Sequence, residues 1–419
     1  MTKFAIVSLV SLVIASVAVR ADQLPLLAYM DAVAGAEFSK PCVGAKLNGL
    51  LSSTGENDAM VPEGARKQGG VGAAEVPAGD RNEVLQLMRK VAAWQLANTG
   101  KVPAGDWIMG PFWNGLMALG RIPGNELYIE KVVEVGRKEN WRVIDTKWKA
   151  NDHCTPQAYL ELYEIKHDPV MLAPTVKALD EYIAAAAAQD ENLDFKSQNA
   201  RKWSWCDALY MSPPTFARLA VVTGDRKYAE YLHTWWWKVS DYYYDKEEKL
   251  YFRDQNMRKI RESNGRKIFW SRGNGWVAGG LVRVLQSLPN DDAVRPRYVE
   301  QFKEMCGKLL EIQCTDGLWR SGLLDAAAYD GPESSGSAFF VYAFAYGVNE
   351  GLLEKAKFQL AVLKGWKGLA SCVTAEGRFQ NVQPVDDRPG RFKPDTAVPY
   401  GTGAFLLAGS EVYRMMTTN

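Results

Sequence analysis

Histidine is nearly missing from this 419-residue chain: only His153, His167 and His233 occur. With so few, and with no Cys-x-x-Cys or Cys/His spacing, the sequence calls for neither a metal site nor a cofactor. Long basic runs are also lacking. Fifty Lys and Arg against 49 Asp and Glu leave a net charge of +1, so nothing tracks a phosphate backbone, and nucleic acid is excluded as a partner. Cysteine is sparse for the length: Cys42, Cys154, Cys206, Cys306, Cys314 and Cys372 read mostly as buried thiols, with room for one bridge.

Long apolar runs are confined to the start. "MTKFAIVSLVSLVIASVAVRAD" has a lysine, an apolar run from Phe4 to Val19 and small residues at Val19 and Ala21. It reads as a secretory signal peptide, residues 1–21, cleaved after Ala21. The run is shorter than the roughly 20 residues of a spanning helix, so no membrane span is expected after cleavage. Export to the periplasm or the medium is the expectation. Residues 22–79 read as an N-terminal extension, its later part rich in Gly, Ala, Ser and Glu and lacking periodicity. The folded body is expected over 80–419.

What the chain has in quantity is tryptophan, 14 residues within an aromatic content of 11%. A flat indole fills a core or stacks on a sugar ring, so only clusters beside polar groups point to a site. Two helix types alternate. "DRNEVLQLMRKVAAWQLAN" places Val84, Leu87, Met88, Val91 and Trp94 on one face, and "YVEQFKEMCGKLLEI" does the same with Tyr298, Phe302, Met305, Leu309 and Ile312. The second type is apolar nearly all round: "FWNGLMALG", "DALYMSPPTFARLAVV", "GWVAGGLVRVLQSL", "SAFFVYAFAYGV" and "GTGAFLLAGSEVYRM". Polar turns carrying an aromatic recur at Trp141, Phe195, Tyr251, Trp319 and Phe379. Six inner segments, starting near Trp107, Asp152, Trp203, Trp270, Ser334 and Tyr400, predict an all-α (α/α)6 barrel, a toroid of six helical hairpins. An open α-solenoid satisfies the same pattern.

Out-of-place polar and aromatic residues collect at the starts of those inner segments, in "DWIMGPFW", "NDHCTPQAYLELY", "KWSWCDALYM", "FWSRGNGWV", "PESSGSAFF" and "PYGTGAF". Parallel inner helices would bring all six starts to one mouth, where helix N-termini favour an anionic ligand. Asp207 is a carboxylate inside an uncharged aromatic run, beside Trp203, Trp205 and Met211. Burial there costs several kcal/mol unless the group is paired or kept for chemistry. Asp152 is a second carboxylate, equally readable as an N-cap. Trp270 and Trp276 flank Arg272 and Asn274, and an Arg held by aromatics is a planar fork for a carboxylate. Arg253, in "LYFRD", is a further cation. Trp107 and Tyr400 complete the candidate substrate-binding set.

The motifs "WCDALYMSPP", "IFWSRGNGWV", "DGLWRSGLLD", "PESSGSAFF" and "PYGTGAFLLAGSEV", in that order from about residue 80 onward, resemble the unsaturated rhamnogalacturonyl hydrolases, glycoside hydrolase family 105, and more distantly the unsaturated glucuronyl hydrolases. The resemblance implies an (α/α)6 barrel that removes the terminal 4,5-unsaturated uronic acid left by a polysaccharide lyase. It implies Asp207 as the acid/base that protonates C4, Asp152 as the second carboxylate, Trp205 and Met211 as pocket walls, and Trp270 and Arg272 as a substrate-contacting pair. Where better-known members carry a histidine before the R-G-N-G segment, this chain has Arg253, so that histidine's role does not transfer. A non-catalytic oligosaccharide-binding protein, or a lyase or epimerase on the same toroid, are the competing expectations.

Overall fold

The structure, a computed structural model, describes residues 80–144, 149–187, 192–194 and 203–417. The expected signal peptide, the extension, Cys42 and the turn at Phe195 lie outside the described residues. Two helices alternate along the rest. The outer ones are α1 (Arg81–Ala97), α3 (Leu127–Lys138), α5 (Ala173–Ala187), α8 (Arg226–Tyr243), α10 (Arg295–Glu311) and α12 (Lys355–Ser371). The inner ones are α2 (Gly110–Gly120), α4 (Pro156–Lys166), the pair α6 (Ala208–Met211) and α7 (Pro213–Thr223), α9 (Ser271–Ser287), α11 (Ser334–Asn349) and α13 (Pro399–Met415). A two-stranded hairpin, β1 (Tyr244–Asp245) and β2 (Leu250–Tyr251), joins α8 to α9.

The alternation in hydropathy has its counterpart in burial. Every residue of α11 from Ser334 to Gly347 is buried, whereas α10 buries one face, Tyr298, Gln301, Phe302, Met305, Cys306 and Leu309, and leaves its other face to water. In α1 the buried face is turned slightly from the expected one: Leu85 and Ala92 are buried with Val84, Met88 and Val91, and Leu87 and Trp94 are half-buried. Asp80 begins that helix by accepting from the N–H of Asn82, satisfying a donor the first turn leaves free.

The open-solenoid alternative fails on contacts. Helix α2 packs on α4, α4 on α7, α6 and α7 on α9, α9 on α11, α11 on α13, and α13 back on α2. The inner helices therefore close into a ring. The closing seam depends on glycine: a Cβ on Gly403 would lie 2.2 Å from the Pro111 backbone, and one on Gly115 2.8 Å from the Gly403 carbonyl oxygen. Backbone meets backbone there because neither residue has a side chain.

"DALYMSPPTFARLAVV", expected as one helix, is two. Pro213 and Pro214 lack the N–H groups that would bond the Leu209 and Tyr210 carbonyls, so the helix stops at Met211 and restarts. Gln157 of α4 covers the break, its Nε2 donating to the Tyr210 carbonyl at 2.8 Å. Arg283 fixes that amide by donating to Oε1 at 2.6 Å and bonds Glu161 at 2.6 Å. Arg121 and Arg218 surround Glu161 at 3.1 and 3.9 Å, so an ion-pair network joins four inner helices and lines a cavity with Gln286, Tyr342 and Glu411. Cys154, Cys206, Cys306, Cys314 and Cys372 are free thiols, so among the described residues no bridge forms.

Candidate active site

The starts of the inner helices gather at one end of the toroid. Asp207 is the residue before α6, and its side chain does not cap its own helix. It is 8% exposed. Its Oδ2 lies 3.7 Å from Arg253 Nε and 3.4 Å from Cys206 Sγ. Burial raises the carboxyl's pKa, and the Arg253 and Arg272 guanidinium groups pull it back in part. The shift is upward, toward a carboxyl that holds its proton. Arg253 also donates to Asp254 at 2.8 Å, and its carbonyl accepts from the Cys206 N–H at 2.9 Å, which ties the segment after β2 to the residue beside Asp207.

Asp152 sits in a short 3-10 turn, Ala150–His153, that packs directly on α6. It accepts from the Lys149 N–H at 3.2 Å, an ordinary turn-capping bond. It also lines a cavity of about 180 Å³ with Asp106, Trp107, Lys149 and Asn151. Trp107 links this cavity to the next part of the site: it stacks on Tyr400 with ring centroids 5.8 Å apart and meets Trp276 edge-on at 6.5 Å. Tyr400 lies within electrostatic reach of Asp207, Arg272 and Asp386. Asp207, Asp152, Trp107 and Tyr400, at or just before the inner-helix starts, thus lie at one mouth, and the segment after β2 brings Arg253 to them.

In the R-G-N-G segment the polar side chains bond the protein's own backbone. Arg272, 1% exposed, lies between the rings of Trp270 and Tyr400, at 4.4 and 5.0 Å from their centroids. Both its Nη atoms are spent on backbone: Nη1 donates to Gln383 O at 2.6 Å and Nη2 to Pro384 O at 2.7 Å. Asn274 is wholly buried and bonds the N–H and C=O of Tyr251 and the C=O of Trp270. In this structure the two polar side chains build the wall, because a buried donor or acceptor must find a partner and loop backbone is what lies in reach. Trp276 packs against Tyr210 and Phe339 as well as Trp107. Trp203 faces an aromatic cluster behind Asp207, edge-on to Phe216 and Tyr231, and Trp205 and Met211 are buried beside it.

Sequence reasoning missed Gln383. Its carbonyl accepts from Arg272 and from the Tyr400 hydroxyl at 2.6 Å, its Oε1 from Trp270 Nε1 at 2.9 Å and Ser321 Oγ at 2.8 Å, and its N–H donates to Glu333. Glu333 in turn caps α11 by accepting from the N–H groups of Ser335 and Gly336. This loop residue joins three helix starts, and nothing in "NVQPVDDRPG" distinguishes it as such a hub.

A buried carboxyl whose pKa is raised, a guanidinium 3.7 Å from one of its oxygens and a stacked aromatic rim suit acid catalysis on a sugar ring. Comparison with known proteins agrees. The model of Glycosyl Hydrolase Family 88 matches residues 80–416. An unsaturated 3S-rhamnoglycuronyl hydrolase from Formosa agariphila is 36% identical over 347 residues, covering 80% of this chain and 92% of the relative. A family 88 glycosyl hydrolase from Bacteroides vulgatus has a similar structure, with TM-score 0.72 and 27% identity over 80% of this chain and 99% of that one. A structure described as a polysaccharide lyase matches with TM-score 0.72 and 29% identity, over 81% of this chain and 99% of that one. With its family match spanning the whole described toroid, the chain belongs to the glycosyl hydrolase 88/105 family and is a glycoside hydrolase.

Proposed function

We propose that the protein removes a terminal 4,5-unsaturated uronic acid from lyase-generated, rhamnose-containing oligosaccharides by hydrating the double bond. The observation that carries this reading is Asp207, a buried carboxyl with a raised pKa, set against Arg253. Protonating a vinyl-ether carbon needs an acid that still holds its proton when substrate arrives, and burial favours that state. Asp207 gives its proton to C4. The carboxylate then takes a proton from water as the water oxygen bonds to C5, so the net change is addition of one water. The resulting hemiketal opens to a ketone, C1 becomes a hemiacetal, and the aglycone leaves as an alcohol. Attack at the anomeric carbon, the route of most glycosidases, is not used.

Arg253 suits the uronate carboxylate or another anionic substituent on the sugar, and half-buried Trp107, backed by the buried ring of Tyr400, offers an aromatic face for a ring. Asp152, on the turn that packs on α6, serves as the second carboxylate that orients water or substrate. The description of the Formosa relative supports a rhamnose-bearing aglycone. The pattern of residues 1–21 supports export to the periplasm or medium, which N-terminal sequencing of the mature protein from fractionated cells would test.

The test of the reaction is optical. Lyase-digested ulvan, pectin and glycosaminoglycan fractions are incubated with the purified protein, and the absorbance of the conjugated double bond is followed. Loss of absorbance with at least one fraction, abolished by Asp207→Asn in a folded protein, is expected. Wild-type turnover by that variant would remove Asp207 from the chemistry. The same assay tells this reaction from that of a lyase, the description one structural relative carries. A lyase would give the opposite sign, since it creates the chromophore from intact polysaccharide.

A further inference from the structure

We propose that Cys206 is a positioning residue for Asp207, its S–H donating to Oδ2 and thereby leaving Oδ1 as the oxygen that delivers the proton. This rests on the reading of Asp207 as the proton donor. A thiol donor and a cation converge on the same oxygen: Cys206 Sγ donates to Oδ2 at 3.4 Å, and the Arg253 guanidinium forms an ion pair with it, Nε at 3.7 Å. Negative charge on the ionised carboxyl is drawn to Oδ2, so a returning proton goes to Oδ1.

The thiol is built into this place. Cys206 is wholly buried, and its N–H bonds the Arg253 carbonyl at 2.9 Å, so the same residue holds both the carboxyl and the backbone of its cationic neighbour. Gly273, in the first turn of α9, makes room: a Cβ there would lie 3.1 Å from the sulfur and 3.0 Å from the Trp270 ring. Burial raises the thiol's pKa well above its ordinary value, so it stays S–H and only donates to the carboxyl.

Sulfur is also a fitting choice of donor. A thiol is a weak donor. A hydroxyl at the same position would bond the carboxylate more strongly, favour the ionised form and deplete the protonated acid. A methyl group would leave Oδ2 to Arg253 alone. The other groups acting here are Asp254 beside Arg253, Arg272 at the start of α9 and Tyr400 at the start of α13. Replacing Cys206 leaves each of them in position.

The pH profile of kcat/KM, read by loss of double-bond absorbance, separates the outcomes. The alkaline limb, which reports ionisation of the donor, is expected to fall by about half a unit or more in Cys206→Ser and to rise in Cys206→Ala. A loss of folded protein lowers the whole profile without moving its limb in opposite directions for the two variants. In the wild type, the infrared S–H stretch that disappears in Cys206→Ala is expected to move to lower frequency as Asp207 ionises, and to stay unmoved in Asp207→Asn. Coincident limbs in all three proteins, or an S–H band indifferent to pH, would overturn the role of Cys206 while Asp207→Asn remains inactive. An active Asp207→Asn would overturn the underlying reading instead.

Discussion

Arg272 and Gln383 lie 111 positions apart, yet Nη1 of the arginine donates to the main-chain oxygen of Gln383 at 2.6 Å, with the guanidinium held between Trp270 and Tyr400. A lysine cannot reproduce this. Its single ammonium lacks the planar fork that serves Gln383 and Pro384 together. The Gln383 carbonyl keeps the Tyr400 hydroxyl as a donor, but Arg272→Lys cannot serve both carbonyls and leaves the Pro384 oxygen without its donor, a cost of about 1 kcal/mol. We expect kcat/KM to fall about tenfold or more, with a lower melting temperature, measured by the absorbance assay and by calorimetry.

Asp207 should weaken the fold where it aids the reaction. Its pKa is higher folded than unfolded, so the folded state holds the proton more tightly. The stability this gives is complete below the unfolded value and is lost as pH rises through the folded one. Asp207→Asn is neutral at every pH. Chemical denaturation should find that variant more stable than wild type at pH 7, with the gap closing toward pH 4.

His153 works in the opposite sense. Burial holds its pKa down at about 3, and its ring nitrogen Nδ1 lies 2.6 Å from Ser212 Oγ. The unfolded chain takes up a proton near pH 6.5 that the folded chain refuses. Stability from this group is present above pH 6.5 and lost as pH falls toward 3, by about 3 kcal/mol at pH 4. His153→Gln should flatten the acid side of the denaturation profile between pH 6.5 and 4.

Closure of the ring can be tested at its seam. Gly403→Ala places a methyl group 2.2 Å from the Pro111 backbone, where no flexible side chain can yield. The helices α2 and α13 must separate, at a cost of about 1–3 kcal/mol. A fall in melting temperature together with lost activity is the expected result, since Trp107 and Tyr400 flank that seam.

Glu161 is the charge on which three arginines depend. Burial alone would raise its pKa, but Arg283, Arg218 and Arg121 outweigh that and hold it at about 2. Glu161→Gln leaves Arg283 buried and uncompensated, a loss of about 3–5 kcal/mol. Denaturant unfolding should show it. The change lies near the end of the toroid away from Asp207, so any surviving folded fraction should keep its KM.

Much of this architecture was present in the order of residues. Hydrophobic period separates inner from outer helices, since a helix between neighbours can be apolar all round and a surface helix cannot. The inner starts near Trp270, Ser334 and Tyr400 agree with helices at Ser271, Ser334 and Pro399. Asp207 stood out because a lone carboxylate among aromatics has a burial cost that local sequence makes visible. The break at Pro213 was equally present in the letters, but the apolar run across it concealed the missing N–H groups.

Closure, and the use to which each polar side chain is put, were decided by tertiary structure. Periodicity is a property of one helix, whereas the seam of Gly115 and Gly403 joins the second helix to the last. Arg272 and Asn274 were recognisable as out-of-place polar groups; that they hold the wall follows from carbonyls contributed by Gln383, Pro384 and Tyr251. A hydrogen bond depends on where its partner's backbone lies, and only the folded ring brings those segments together. For the same reason Gln383 is unremarkable in sequence and central in space, and the sulfur beside Asp207 gains its meaning only from the oxygen it touches.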